Sequence, residues 1–260
     1  MSEMVLRSVL EDGIALLTIN RESRRNALNM DVLSELIAHL TDIKSDEHAR
    51  VVVLTGAGEK AFCAGGDLSP GQASGGMLAM HHQRQQFVEL FHTLRHLGKP
   101  VIARVNGHCL AGGLGLMLGC DLAIASDNAT FGTPEIKVGL WPMMIMSVIF
   151  RTIGRRRAME MILTGERMDA QEAKDIGLIN HVVPVDELDN AVAELAKKLA
   201  GFSPAILRLG RDAFYAQEDM PMDKALPFLQ SQLTLNTLAE DAAEGIMAFF
   251  GKRKPEWKGR

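Results

Sequence analysis

Residues 101–125 read VIARVNGHCLAGGLGLMLGCDLAIA, and the order of features in this stretch decides the fold. Val101 to Val105 is a short, mostly aliphatic run, the pattern of a strand covered on both faces. Asn106-Gly107 opens a turn, Gly112 to Leu118 reads as a helix start, and Leu122 to Ala125 is a further buried strand. Strand, glycine-bearing loop, helix and strand make a βαβ unit with a parallel sheet. Such folds place ligands on loops leaving the C-terminal edges of their strands. A helix opening at Gly112 directs that residue's N–H outward with the positive end of the helix dipole behind it, a setting that suits an oxyanion.

The arrangement is repeated upstream. Val51 to Thr55 is a β-branched buried strand, and the glycine-rich segment after it ends in AFCAGGDL at 61–68, with a possible helix start near Asp67. Two strands, Met4 to Leu10 and Ile14 to Asn20, open the chain around Glu11-Asp12-Gly13. Ser23 to Leu28 reads as a loop. Met30 to Lys44 carries apolar Met30, Leu33, Leu36, Ile37 and Leu40 at helical spacing. Ser69 to Gly76 is a Pro/Gly/Ser stretch with the composition of a mobile loop. Leu78 to Leu97 is helical until Gly98-Lys99-Pro100 stops it. From Arg151 the pattern is mostly helical, with an extended piece at Ile179 to Val183, and from Phe202 it carries little strand. The fold class is α/β, with a core domain over 1–200 and a C-terminal helical region over 201–260.

Bulk properties narrow the function classes. Apolar residues make up 47% of 260, enough for a generous core. A net charge of -4 argues against a phosphate-tracking nucleic-acid surface. Cys63, Cys109 and Cys120 are odd in number and lack CxxC spacing, which speaks against a disulfide framework or a structural zinc and for a reducing compartment. No apolar run approaches a membrane span and the N-terminus has no signal-peptide pattern, so the expectation is a soluble cytoplasmic protein with no membrane partner.

A dinucleotide site is the first rival reading of the glycines. Gly113-x-Gly115 follows a strand and Glu135 lies at a ribose-binding distance. The next glycine, Gly119, is one position late, and Glu135 follows the turn Phe131-Gly132-Thr133-Pro134 instead of a strand end. That fingerprint is broken.

The ordered blocks AFCAGGDL, NGHCLAGGLGL…CDLAIAS, FGTPEIKVGL at 131–140 and LTGERMDAQEAKDIGLINHVVP at 163–184 resemble the enoyl-CoA hydratase/isomerase (crotonase) superfamily. So do the Arg25-Asn26-Ala27-Leu28 loop and the terminal GIMAFFGKRKPEWK. The resemblance implies a crotonase-like spiral of ββα units with a C-terminal helical trimerisation region, giving homotrimers or hexamers built as dimers of trimers. It implies an acyl-CoA substrate, with coenzyme A entering as part of the thioester and no separate cofactor or metal. It also implies an oxyanion hole from the backbone N–H groups of Ala64 and Gly112, each donor worth roughly 3–4 kcal/mol in a dry site. The remaining positions it assigns to substrate or CoA are Arg25, Ala27, Leu28, Ala61, Gly65, Gly66, Asp67, Leu68, Gly113, Pro134, Trp141, Met143, Phe249 and Lys252, the last two approaching from a neighbouring subunit.

Family hydratases hold a water between two glutamates. The position of the first is Gly115 here, and that of the second is Glu135. Pro142-Met143-Met144-Ile145-Met146 also replaces a glycine-rich run beside the water. A lone carboxylate near an apolar pocket has a raised pKa and can act first as base and then as acid. The expectation is therefore a double-bond isomerase with Glu135 as proton shuttle. The alternatives are a hydratase working with Glu135 alone, on a methylglutaconyl-type or similar substrate, and a non-catalytic acyl-CoA binder. Cys63 and Cys109 read as apolar filler, His81-His82 as solvated. Trp141 and the neighbouring methionines read as pocket wall or core.

Overall fold

The computed structural model describes residues 3–69 and 76–260. Of the Ser69–Gly76 stretch expected to be mobile, residues 70–75 lie outside the described residues. In chain order the elements are β1 (Val5–Val9), β2 (Ile14–Ile19), α1 (Met30–Ser45), β3 (Val51–Gly56), β4 (Ala61–Cys63), α2 (Met77–Arg95), β5 (Val101–Val105), β6 (His108–Leu110), α3 (Gly112–Leu118), β7 (Leu122–Ser126) and β8 (Thr130–Gly132). Then follow α4 (Met146–Thr164), β9 (Arg167–Asp169), α5 (Ala170–Asp175), β10 (His181–Val183) and the helices α6 (Leu188–Ala200), α7 (Pro204–Gln217), α8 (Met222–Leu238) and α9 (Glu240–Phe250).

Among the described residues the strands form two sheets. The larger has the order β1-β2-β3-β5-β7-β10, antiparallel between β1 and β2 and parallel from β2 onward. The smaller runs β4-β6-β8-β9, parallel through β8. Three successive turns of the chain, β3-β4-α2, β5-β6-α3 and β7-β8-α4, lay one strand in the large sheet, the next in the small sheet, and then a helix. This is the spiral of ββα units that the resemblance implies.

Alternation within β3 shows how the large sheet is covered. Val52 and Leu54 point into the main core with Leu33, Leu36 and Leu40 of α1. Val51 and Val53 point the other way, onto Leu188, Val192 and Ala196 of α6. All six β3 residues are buried, which is why the strand reads as an unbroken apolar run. Helix α1 starts where Asn29 accepts a bond from the Val32 N–H at 3.0 Å, an ordinary N-cap.

Helix α7 is tied to the core by charge. Arg211 donates to Asp121 at 2.9 Å, Tyr215 Oη donates to the same carboxylate at 2.6 Å, and the Val101 N–H donates to it at 2.7 Å. Asp121 joins α3 to β7, so this cluster fixes the C-terminal helices on the back of the spiral. Among the described residues no helix is long and apolar enough to cross a membrane.

Candidate active site

The small sheet assembles the site. Strands β4, β6 and β8 are parallel neighbours, with Cys63 opposite Cys109 and Cys109 opposite Phe131. Their C-terminal ends therefore lie side by side, and three loops leave from one edge. The β4 loop carries Gly65, Gly66 and Asp67, the β6 end carries Ala111 and Gly112, and the β8 end leads through Thr133 into a 3-10 turn, Pro134–Val138, bearing Glu135.

The β6 exit is strained. Ala111 has φ 50 and ψ -129, a region non-glycine residues avoid at a cost of about 1–3 kcal/mol. Its N–H donates to the Gly132 carbonyl at 2.9 Å, locking the β6 exit to the end of β8. Gly112 then begins α3, whose first N–H groups have no carbonyl within the helix. Gly113 must lack a side chain, because a Cβ there would lie 2.3 Å from the Cys63 carbonyl oxygen. Close approach of α3 to β4 is what brings Gly112 beside the β4 loop.

Ala64 departs from the oxyanion expectation. Its N–H donates to the Arg25 carbonyl at 3.0 Å and is spent on holding two loops together. The reason is the left-handed turn at Arg25 (φ 50) and Asn26 (φ 56), which aims that carbonyl at the β4 loop. The open N–H on this loop belongs to Gly66. Its N–H has no partner among the described residues, and its nitrogen lies 3.4 Å from where a Cβ on Gly112 would be. The Gly112 N–H is likewise without a partner among the described residues. Gly66 is held between two backbone bonds, Leu28 N–H to the Gly65 carbonyl and Asp67 N–H to the Leu28 carbonyl, both 2.8 Å.

Glu135 is half-buried, and burial raises its pKa above the ordinary glutamate range, opposed in part by a bond from its own backbone N–H. Its Oε2 is buried with no hydrogen-bond partner among the described residues. An orphaned buried carboxylate oxygen is costly and calls for a ligand or a proton. The turn that holds it is closed by the Leu140 N–H on the Glu135 carbonyl at 3.0 Å and anchored by Thr133 Oγ1 on the Met161 carbonyl at 3.1 Å.

Gly115 is not an empty position. A Cβ there would lie 2.2 Å from Ile145 Cγ2, 2.8 Å from Ile145 Cβ and 3.3 Å from Phe91 Cζ. Ile145 is 4% exposed. The space a first glutamate would need is filled by aliphatic and aromatic carbon.

The other expected positions divide. Ala61 and Gly113 are buried where they shape the loops, and Ala27 and Leu28 are buried beside them. Leu28 contributes backbone, while Leu68 is exposed. Pro134 opens the glutamate turn. Trp141 is half-buried and donates its indole N–H to Met146 Sδ at 3.4 Å. Met143, Met144 and Met146 are exposed, so these methionines are not core; within that segment only Pro142 and Ile145 are buried. Phe249 and Lys252 lie exposed at the end of α9. His81 and His82 are exposed and the three cysteines are buried, with Cys63 pushed up to about 12 by burial. The sequence reading missed Arg21 and Phe91, and it did not pair Ile145 with Gly115. No local spacing marks them, since each matters through contacts distant in the chain.

Two loops with unpartnered backbone N–H groups leave the same edge of the small sheet as the turn bearing a half-buried carboxylate, and the chain belongs to the enoyl-CoA hydratase/isomerase family. The family's sequence profile matches residues 10–260. The chain is 35% identical, over the full length of both proteins, to the 2,3-dehydroadipyl-CoA hydratase of Escherichia coli K12. It is 36% identical to the short-chain-enoyl-CoA hydratase of Clostridium acetobutylicum over 95% of this chain and 94% of that one. The crystal structure of an enoyl-CoA hydratase from Bacillus anthracis superposes with a TM-score of 0.93 at 35% identity, covering 99% of this chain and 100% of the other. The protein is thus an acyl-CoA enzyme of this family.

Proposed function

We propose that the enzyme is an enoyl-CoA double-bond isomerase. The Gly66 and Gly112 N–H groups donate to the thioester oxygen and stabilise the charge that develops there when the α-carbon loses its proton. Glu135 as carboxylate takes that proton, a dienolate forms, and the resulting carboxylic acid returns the proton two carbons along. The double bond moves into conjugation, and no water or co-reactant enters the balance.

The observation that carries this reading is Ile145 filling the space at Gly115. A water held between two carboxylates needs the first of them, and neither the carboxylate nor room for it is present. The hydratase names of the relatives support a second reading, hydration with Glu135 alone. Assaying 2-enoyl-CoA and 3-enoyl-CoA thioesters for both reactions separates the two. Isomerisation of the 3-enoyl thioester well above hydration of the 2-enoyl thioester is expected; hydration at rates typical of efficient hydratases would replace the isomerase reading.

Arg25 and Lys60 line a surface cleft with His108 and Glu59, and the guanidinium and ammonium offer the cations that the phosphates of coenzyme A need. The exposed apolar side chains of α7 to α9, including Phe214, Met222, Leu233, Phe249 and Phe250, are the proposed surface for a trimer.

A further inference from the structure

Arg21 lies just past the end of β2 and reaches no group that performs chemistry, yet its side chain is only 13% exposed. One guanidinium nitrogen donates to the Ala27 carbonyl at 2.5 Å and another to the Asp67 carboxylate at 2.9 Å. Asp67 is 6% exposed on its side chain and also accepts the Ser69 N–H at 3.0 Å. The Arg21 backbone is fixed as well: its N–H donates to Asn26 Oδ1 at 3.1 Å and its carbonyl accepts the Asn26 N–H at 2.9 Å. Asn26 in turn donates to the Ala57 and Ala61 carbonyls at 3.0 and 2.7 Å.

These bonds close a ring around one peptide. Ala27 leads into Leu28, whose N–H and carbonyl hold Gly65 and Asp67, and the Arg21 fork holds Ala27 and Asp67 together from outside. The residue enclosed is Gly66. From this geometry we infer that Arg21 is a positioning residue which, through Asp67 and the Ala27–Leu28 strap, aims the Gly66 N–H at the thioester oxygen. The inference rests on the oxyanion reading given above. A planar fork with two fixed donors can hold both acceptors at once, whereas an ammonium is a single point of charge. Small misplacement of a group by a change outside the reacting centre lowers turnover by up to about 100-fold.

The test reads the thioester directly. Hexanoyl-CoA labelled with carbon-13 at the thioester carbon is bound to the wild type, to Arg21→Lys and to Asp67→Asn, and the carbonyl stretch is recorded by infrared difference spectroscopy. The wild type is expected to lower the stretch relative to free thioester. In both variants the shift should fall to less than about half, kcat for isomerisation should drop about 10–100-fold, and Kd for hexanoyl-CoA should change less than about threefold. Asp67→Asn keeps the side-chain shape and serves if Arg21→Lys folds poorly. A wild-type carbonyl shift and wild-type kcat in the folded variants overturn the inference alone. Absence of any shift in the wild type overturns the oxyanion reading together with it.

Discussion

The proposed reaction concentrates its chemistry in one carboxyl group, that of Glu135. Burial disfavours its ionised form, so its folded-state pKa lies above the unfolded one and the native protein holds a proton that the unfolded chain has already lost. Stability therefore falls as pH rises through that window. Glu135→Gln should raise Tm at pH values above the ordinary glutamate range and leave it unchanged well below, which thermal melts at two pH values measure. Activity moves the other way, because the base must be ionised. The acidic limb of kcat/KM is expected above the usual carboxylate range, and Glu135→Gln should lower kcat roughly 10²–10⁴-fold. The sequence pointed to Gly112 through a strand–glycine–helix order and to Glu135 through the family blocks. It did not point to Gly66 as the second proposed donor. Ala64 and Gly66 are equally small, and what separates them is a bond from Ala64 to Arg25, a residue far away in the chain.

Long strands and helices could be read from periodicity; the small sheet could not. Its strands AFC, HCL, TFG and RMD have three residues each, too few for a period of two to declare itself. Among the described residues no helix starts near Asp67: residues 67–69 are non-helical, with the Asp67 N–H on the Leu28 carbonyl and the Ser69 N–H on the Asp67 carboxylate, and the next described helix begins at Met77. The contact of α3 with the segment leading into α4 carries a sign reversal. A glycine replaced by alanine inside a helix ordinarily gains about 1 kcal/mol. Gly115→Ala should instead lose about 1–3 kcal/mol in chemical denaturation, because its Cβ meets Ile145. Combining it with Ile145→Ala should recover part of that loss, and Gly115→Glu with Ile145→Ala should show measurable hydration of 2-enoyl-CoA where Gly115→Glu alone does not.

At the scale of the molecule, the spiral and the C-terminal helices meet at Asp121. Arg211 is 8% exposed on its side chain, and removing it leaves a carboxylate at 19% exposure with Tyr215 and the Val101 N–H as partners. Breaking one side of such a pair costs about 3–5 kcal/mol. Arg211→Met is expected to lose stability on that scale in urea unfolding, and Arg211→Met with Asp121→Asn to lose less than the sum of the two single changes. The sequence showed a helical C-terminus but not this junction, because Asp121 and Arg211 are distant along the chain and meet only after folding.

The packing of Ile145 against Gly115 also orders the paths by which this enzyme can change. A glutamate entering at Gly115 meets occupied space, and an alanine entering at 145 first leaves a void with no compensating chemistry. On the isomerase reading, neither step brings hydration without the other. Seen as an adaptive landscape, the present chemistry occupies a basin that successive single substitutions leave only by passing through a less fit intermediate. Selection for hydration should therefore recover both replacements together far more often than either one alone.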